Sequence, residues 1–362
     1  MENKSKFTIQ VNGMAVQASD GETVLAAADR AGVEIPTLCH DPRLTPVGNC
    51  RMCLVEVEGQ RRLQPACTWK ATPDQTIHTE TDRVQRHRQL LLSLYIADKV
   101  EPASDEVMPA LRRENDIERF ANQYGAELAI PAIDAPRHGR PDENPYIHFD
   151  PSICILCERC VRYCDEVEGV NAITLAGRGA NTTITTANQS GLLDTTCELC
   201  GGCIDTCPTG AMTEKKPFGI QLNPNADVKE VRTTCNFCGV GCQLSLHVAD
   251  DRIVKVTSPP PGETLNDGNL CVKGRFAYDF IHHEERLTKP LIRGEDGQLR
   301  EAPWEEAIRR AAQGLLGVKK RHGKDALAFI SSSRCTGEEN YLMQKLSRAA
   351  FGTNNCHQCA AT

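Results

Sequence analysis

The sequence predicts an α+β multidomain chain built around metal, on three observations. Sixteen of its nineteen cysteines fall into four sets of four with short internal spacings. The N-terminal stretch reads hairpin, helix and cysteine-bearing loop. The C-terminal stretch reads helix, strand and helix, the opening of a parallel α/β domain. A length of 362 residues suits about two or three domains of modest core. Aromatic residues make up only 5% of the chain. Ligation is therefore expected to supply folding free energy that a small apolar core does not.

The first element is the alternating run Phe7 to Val11, a turn at Asn12-Gly13, and the run Met14 to Ala18. A helix follows over Val24 to Ala31, with Thr23 as N-cap and Gly32 as its stop. Cys39, Cys50, Cys53 and Cys67 come next, around a strand at Leu54 to Val57. Four cysteines build a zinc site as readily as a cluster. Position after a hairpin and helix favours a β-grasp domain with a two-iron cluster, over residues 1–80.

Residues 81–145 read as a helical connector, cysteine-free, with a Pro-rich and charged linker from Pro136 to Pro145. Residues 146–225 carry the most specific signal. Cys154-x2-Cys157-x2-Cys160-x3-Cys164 and Cys197-x2-Cys200-x2-Cys203-x3-Cys207-Pro208 are two copies of the bacterial ferredoxin run. In that run the fourth cysteine ligates the other cluster. One four-iron cube is assigned Cys154, Cys157, Cys160 and Cys207, the other Cys197, Cys200, Cys203 and Cys164. Asp165 stands where the first copy would usually have proline. Between the copies, Ala172 to Leu175 and Thr182 to Thr186 read as strands.

Residues 226–285 hold a fourth set, Cys235-x2-Cys238-x3-Cys242-x28-Cys271, with strands at Gln243 to Val248 and Ile253 to Val256 around Asp250-Asp251. Its spacing alone suits a zinc ribbon or a third four-iron cluster. Residues 286–362 read as a helix from Trp304 to His322, a strand from Ala326 to Ile330, and a helix from Glu338 to Phe351, with Phe329, Leu342 and Leu346 lacking evident partners.

A formal charge of −7 argues against a nucleic-acid surface. The longest apolar run, Leu90 to Ala97, is far too short to span a bilayer. With no charged-then-apolar leader, a cytoplasmic setting is expected, where cysteine clusters mean metal more often than disulfide.

Cys271-Val-Lys-Gly-Arg275 and Arg286-Leu-Thr-Lys-Pro-Leu-Ile-Arg293 resemble the N-terminal part of the molybdenum or tungsten bis-pterin oxidoreductases. The order of modules is similar to the large subunit of NAD-linked formate dehydrogenases. That front end is shared with the large peripheral subunit of respiratory NADH dehydrogenase and with iron-only hydrogenases. The resemblance makes residues 226–285 the family's four-iron module and 286–362 the start of its pterin-binding domain, and it places Lys273 between cluster and pterin.

It implies one two-iron cluster, three four-iron clusters and a molybdenum or tungsten bis-(molybdopterin guanine dinucleotide). Formate and carbon dioxide are the implied substrate pair, with a flavin-containing NADH-binding subunit and a small iron-sulfur subunit as partners. Relatives bind a further cluster after a leucine run. Here Tyr95 stands in its histidine place and Lys99 in its first cysteine place, and no cysteine occurs between Cys67 and Cys154, so that cluster is expected to be absent and Asp98 to be a solvated remnant.

Gly352 to Thr362 resembles the stretch leading into the family's catalytic cysteine or selenocysteine. That residue would be number 363, encoded by UGA if it is selenocysteine, so no catalytic residue is expected within these 362 positions. Cys335, Cys356 and Cys359 are not ligands on this reading. His282 and His283 are expected to be structural, and His357 to be a surface or core histidine. A respiratory or hydrogenase subunit, a pterin-free electron adapter and a zinc scaffold are the alternatives.

Overall fold

The computed structural model describes residues 5–98, 111–112, 114–127, 142–223 and 226–359. Residues 136–141 of the expected linker, Lys99, and parts of the expected connector lie outside these residues. Contacts divide the chain into two compact units, 1–224 and 225–362.

The first unit opens with strands β1 (Lys6–Val11) and β2 (Met14–Ser19), paired antiparallel from Lys6 opposite Ser19 to Val11 opposite Met14. Asn12 and Gly13 both adopt positive φ, which closes the two-residue turn. Helix α1 (Val24–Arg30) starts where the Thr23 hydroxyl accepts from the Ala26 amide. Its buried Val24, Leu25, Ala27 and Ala28 pack on Ile9, Val11, Val16, Val55 and Ile77. Strands β3 (Leu54–Val57), β4 (Gln64–Pro65) and β5 (Thr76–His78) complete a sheet of order β2-β1-β5-β3-β4, in which β1 and β5 run parallel. A helix across a mixed sheet with a parallel central pair is the expected β-grasp arrangement.

Helices α2 (Asp82–Asp98) and α3 (Asp116–Tyr124) pack together through Leu92, Ile117 and Phe120. They also pack against Cys39, Cys50, Met52 and Cys157, so a single apolar cluster joins the first cysteine loop to the second. Within the end of the stretch read as linker, Asp142 and Asn144 make fixed contacts. Asn144 is buried and accepts from the Tyr146 and Ile147 amides, and the Lys215 ammonium donates to the carbonyls of Asp142 and Asn144.

The tandem region consists of β6 (Ile147–Phe149), α4 (Arg159–Glu166), β7 (Thr174–Ala176), β8 (Thr183–Thr185), α5 (Gly202–Thr206) and β9 (Met212–Glu214). Strand β6 pairs with β9 and β7 with β8, both antiparallel. The region is pseudo-symmetric: each half has a cysteine loop, then a short helix, then a strand that belongs to a two-stranded ribbon.

The second unit contains the antiparallel sheet β10 (Lys229–Thr234), β11 (Gln243–Ala249) and β12 (Arg252–Thr257), with Asp250 and Asp251 both at positive φ in the last turn. Helix α6 (Val272–Phe276) follows the fourth cysteine set, and a small hairpin pairs β13 (Leu291–Arg293) with β14 (Leu299–Glu301).

Helix α7 (Trp304–His322) has acidic residues in its first turn and basic residues in its last, as the helix dipole favours. Strand β15 (Phe329–Ser332) starts later than expected, because Lys324–Ala326 forms a short 3-10 turn first. Helix α8 (Gly337–Lys345) begins with a capping box between Thr336 and Glu339 and relaxes into a π-helical turn over Leu346–Phe351. Strand β16 (Cys356–Cys359) then pairs parallel with β15. The expectation that Phe329 lacks a partner is corrected: its ring lies 5.2 Å from that of Phe351. Leu342 and Leu346 are exposed. Among the described residues no helix is long and apolar enough to cross a membrane.

Candidate metal centres

The loop between α1 and β3 carries Cys39, Cys50 and Cys53 of the first set, and Cys67 joins them from just after β4. Cys39, Cys50, Cys53 and Cys67 are all buried, and the Cys53 and Cys67 sulfurs stand 3.3 Å apart. The Cys50 amide points at the Cys39 sulfur at 3.5 Å, with Arg51 at positive φ turning the loop around it. The Cys39 thiol is drawn down to about 6 by hydrogen bonding from Cys50, against the opposing effect of burial. Backbone amides aimed at sulfur stabilise a thiolate more than a thiol.

The tandem runs enclose two separate cavities. One, of about 20 Å³, is lined by Cys154, Cys157, Cys160 and Cys207. The other, of about 200 Å³, is lined by Cys164, Cys197, Cys200 and Cys203. The fourth cysteine of each run thus lies with the first three of the other. The two loops share one backbone design. Leu156 and Glu158 in the first, and Leu199 and Gly201 in the second, take positive φ at equivalent places.

For leucine and glutamate this conformation costs roughly 1–2 kcal/mol per residue. It turns amides inward: Leu199 donates to Cys197 sulfur and Gly202 to Cys200 sulfur, both at 3.4 Å. The Ala172 amide donates to Cys164 sulfur at 3.2 Å, and the Met212 amide to Cys207 sulfur at 3.4 Å. Burial pushes the Cys157 thiol up to about 12 and the Cys160 thiol well up also. Such thiols ionise when a bound cation replaces the lost solvation.

In the second unit the Cys235 amide donates to the Cys242 carbonyl at 2.8 Å, closing the third loop. Burial raises the Cys235 thiol, the Phe237 amide opposes that rise, and the nearby Cys271 and Cys238 add to it. Asn266 ties the loop to the stretch that leads to Cys271 at the start of α6. Its carboxamide accepts from the Gln243 amide at 2.9 Å and donates to the carbonyls of Gln243 and Asn269 at 3.1 and 2.8 Å. One side chain therefore spaces Cys242 from Cys271. Sequence reasoning missed Asn266, whose only signal is an Asn in a loop rich in turn residues.

Lys273 lies on α6 with an exposed side chain, two residues after the exposed Cys271. His282 accepts from the Ile253 amide through Nε2 at 3.0 Å, and His283 accepts from the Glu285 amide through Nδ1 at 3.3 Å. His357 is exposed on β16, and Cys335 sits in the turn after β15. Tyr95 is half-buried on α2, its hydroxyl 3.5 Å from the Cys50 carbonyl. Among the described residues no three Cys, His, Asp or Glu side chains converge on one point as a single ion requires. A cluster carries its own sulfides and takes thiolates spread around a volume. The donor chemistry, four sulfurs per set with inward amides, fits that requirement.

A β-grasp domain, a tandem ferredoxin region and a cysteine-bearing module leading into an α/β domain are the modules found at the front of iron-sulfur chains related to the molybdopterin oxidoreductases, and each matches a family model in turn. Residues 4–82 match the 2Fe-2S iron-sulfur cluster binding domain. Residues 144–213 match the ferredoxin-like domain of NADH-quinone oxidoreductase subunit 3. Residues 228–283 match the molybdopterin oxidoreductase Fe4S4 domain, and 286–362 match molybdopterin oxidoreductase itself.

Among its relatives are the NADPH-Fe(3+) oxidoreductase subunit alpha of Geobacter sulfurreducens, 36% identical over 96% of this chain and 40% of that protein, and an NADH-quinone oxidoreductase subunit of Rhizobium meliloti, 37% identical over 97% and 39%. A chain in the crystal structure of an NAD+-reducing [NiFe]-hydrogenase in the H2-reduced state superposes with a TM-score of 0.53, at 27% identity, over 60% of this chain and 91% of that one. The chain spans about two fifths of the length of the curated relatives it matches.

Proposed function

We propose that this chain is the electron-relay portion of a formate dehydrogenase large subunit. The observation that carries the relay is the pair of cavities in which each ferredoxin run supplies the fourth cysteine of the other. Cys39, Cys50, Cys53 and Cys67 hold a two-iron cluster. Cys154, Cys157, Cys160 and Cys207 hold one cube, Cys197, Cys200, Cys203 and Cys164 a second, and Cys235, Cys238, Cys242 and Cys271 a third. When bound, these clusters supply one-electron carriers between a molybdenum or tungsten bis-pterin centre and a flavin-containing, NADH-binding partner with its small iron-sulfur subunit. The residues of the chain exclude water, hold thiolate geometry and stabilise negative charge on sulfur through the inward amides. Lys273 is assigned to the path between the third cube and the pterin.

The formate assignment rests on the likeness of the stretch from Gly352 onward to the formate dehydrogenase sequence leading into the catalytic residue. A second reading is a large subunit that oxidises NADH or NADPH, favoured by the names of the relatives at 36% and 37% identity.

The deciding experiment has two parts. Anaerobic reconstitution is expected to give about 14 iron atoms per chain, the sum for one two-iron and three four-iron clusters. Zinc with iron near ~10 removes the Cys235 cube. The purified native protein is then assayed for pterin and for dye reduction with formate, NADH and NADPH. Pterin with formate-dependent reduction supports the first reading. Nicotinamide-dependent reduction without formate turnover replaces it with the second.

A further inference from the structure

Arg162 lies on α4 between Cys160 and Cys164, yet its guanidinium serves the other cysteine site of the first unit. Nη2 donates to the carbonyl of Cys39, and Nη1 donates to the carbonyl of Thr45 at 2.8 Å. The residue is only 8% exposed, and among the described residues its Nε has no hydrogen-bond partner. Both of its acceptors are neutral carbonyls, and among the described residues no carboxylate forms an ion pair with it.

The neighbouring carboxylate is already committed. Asp41 accepts from Arg43 through Nε at 2.9 Å and Nη2 at 2.8 Å, from Thr206 Oγ1 at 2.9 Å, and from Arg159 at 3.4 Å. Two guanidiniums therefore share Asp41, and Arg162 is left over.

A buried cation without a counter-charge is strongly unfavourable, and native structures pair such groups. The two-iron centre assigned to Cys39 supplies the missing partner, because a two-iron cluster held by four thiolates is net negative and gains one further negative charge on reduction. Resting on that assignment, we infer that Arg162 is a positioning and charge-compensating residue for the two-iron centre, stabilising its reduced form from within the helix that carries the cube ligands. One side chain thereby ties the electron affinity of the first centre to the placement of the tandem region.

The test is an anaerobic redox titration of the reconstituted full chain, followed by electron paramagnetic resonance. Arg162→Gln is expected to move the two-iron midpoint to more negative values by an amount equal to about a tenfold change in the reduction equilibrium, ~59 mV. The shift should exceed that of any cube. Arg162→Lys, which keeps the charge but withdraws it from the Cys39 carbonyl, should give a smaller shift in the same direction.

Glu166→Asp is the control, since Glu166 accepts from the Thr45 amide at 2.6 Å and a shorter side chain loosens the same docking with every charge kept. It should leave the midpoint in place. An unmoved two-iron midpoint in Arg162→Gln overturns the inference, as does a shift in Glu166→Asp of equal size. If Arg162→Gln fails to assemble, Arg162→Met, equally without charge, decides: a wild-type midpoint there makes Arg162 a folding residue only. A wild-type chain without a two-iron signal defeats the functional reading itself, before any variant is made.

Discussion

The ring of Tyr163 occupies the space that a side chain on Gly202 would need: a Cβ there would stand 1.9 Å from the ring edge. Tyr163 precedes Cys164 on α4, and Gly202 precedes Cys203 on α5. The partner position in the other half repeats the contact in polar form, with Arg159 Nε donating to Thr206 Oγ1 at 3.1 Å. The two short helices thus lock through the residue before the third cysteine of one run and the residue before the fourth cysteine of the other.

Gly202→Ala should therefore destabilise the tandem region by roughly 1–3 kcal/mol, the usual cost of overpacking, because the Tyr163 ring is pinned. Its hydroxyl donates to Glu168 at 3.2 Å, and the Arg43 guanidinium lies 4.8 Å from the ring centroid. Thermal unfolding of Gly202→Ala, Tyr163→Leu and the double variant checks this. The pair should be less destabilised than the sum of the single changes, and simple additivity would show that the contact carries no strain.

Cys207→Ala should damage the cube built mainly by the first run, since Cys207 lines the cavity of Cys154, Cys157 and Cys160. Resonance spectra of the reconstituted variant should show loss or conversion of that cube with the other preserved. Damage confined to the cube of Cys197, Cys200 and Cys203 would reverse the assignment.

Asn266→Ala removes the donor and acceptor set that joins the Gln243 backbone to the Asn269 carbonyl. Leaving those backbone groups unpartnered should cost about 1–3 kcal/mol and lower occupancy of the Cys235 site. Iron content after reconstitution, expected to fall toward ~10 per chain as one four-iron site empties, is the readout. Full occupancy would show that the loop is set by its turns alone.

His247 provides a pH dependence. Its imidazole on β11 is half-buried and bonded through Nε2 to Thr257 Oγ1 at 2.9 Å, with Lys255 directly opposite on β12. Burial first, and then the charge of Lys255, hold its pKa below the usual value, with Glu230 opposing. The folded state therefore binds fewer protons than the unfolded chain. Stability from this group is complete above the unfolded value of about 6.5 and declines as pH falls through it. Between about pH 7 and 5, His247→Gln should lose less stability than wild type in paired melting curves. Parallel curves would remove His247 as the source.

Local chemistry was readable from the sequence wherever spacing and geometry coincide. The hairpin turn at Asn12-Gly13, the Thr23 cap and helix α7 follow from residue types within a few positions of each other. The sharing of cysteines between cavities was also readable, because the ferredoxin run carries that rule in its spacing. Long-range polar contacts were not. Asn144 and Lys215 turn an apparent linker into a fixed corner through bonds across some seventy residues, which no local pattern encodes. Strand β16 was missed because a four-residue run with two cysteines and a histidine lacks strand character, and its pairing with β15 supplies what propensity does not. Arg162 reads as an ordinary helix residue until its acceptors, more than a hundred positions away, are seen.

The paired cavities of the tandem region also constrain how such a module can be inherited. Each half lends one sulfur to its twin, so neither half is a self-sufficient unit for gene fusion, duplication or loss. A recombination joint placed between Asp165 and Thr196 would split the lining of both cavities at once. A donor segment that brings only one run would arrive with three-quarters of one site and a quarter of another. The region behaves as a clasp whose two leaves are meaningful only together, and it can pass from one electron-transfer protein to another only as a whole.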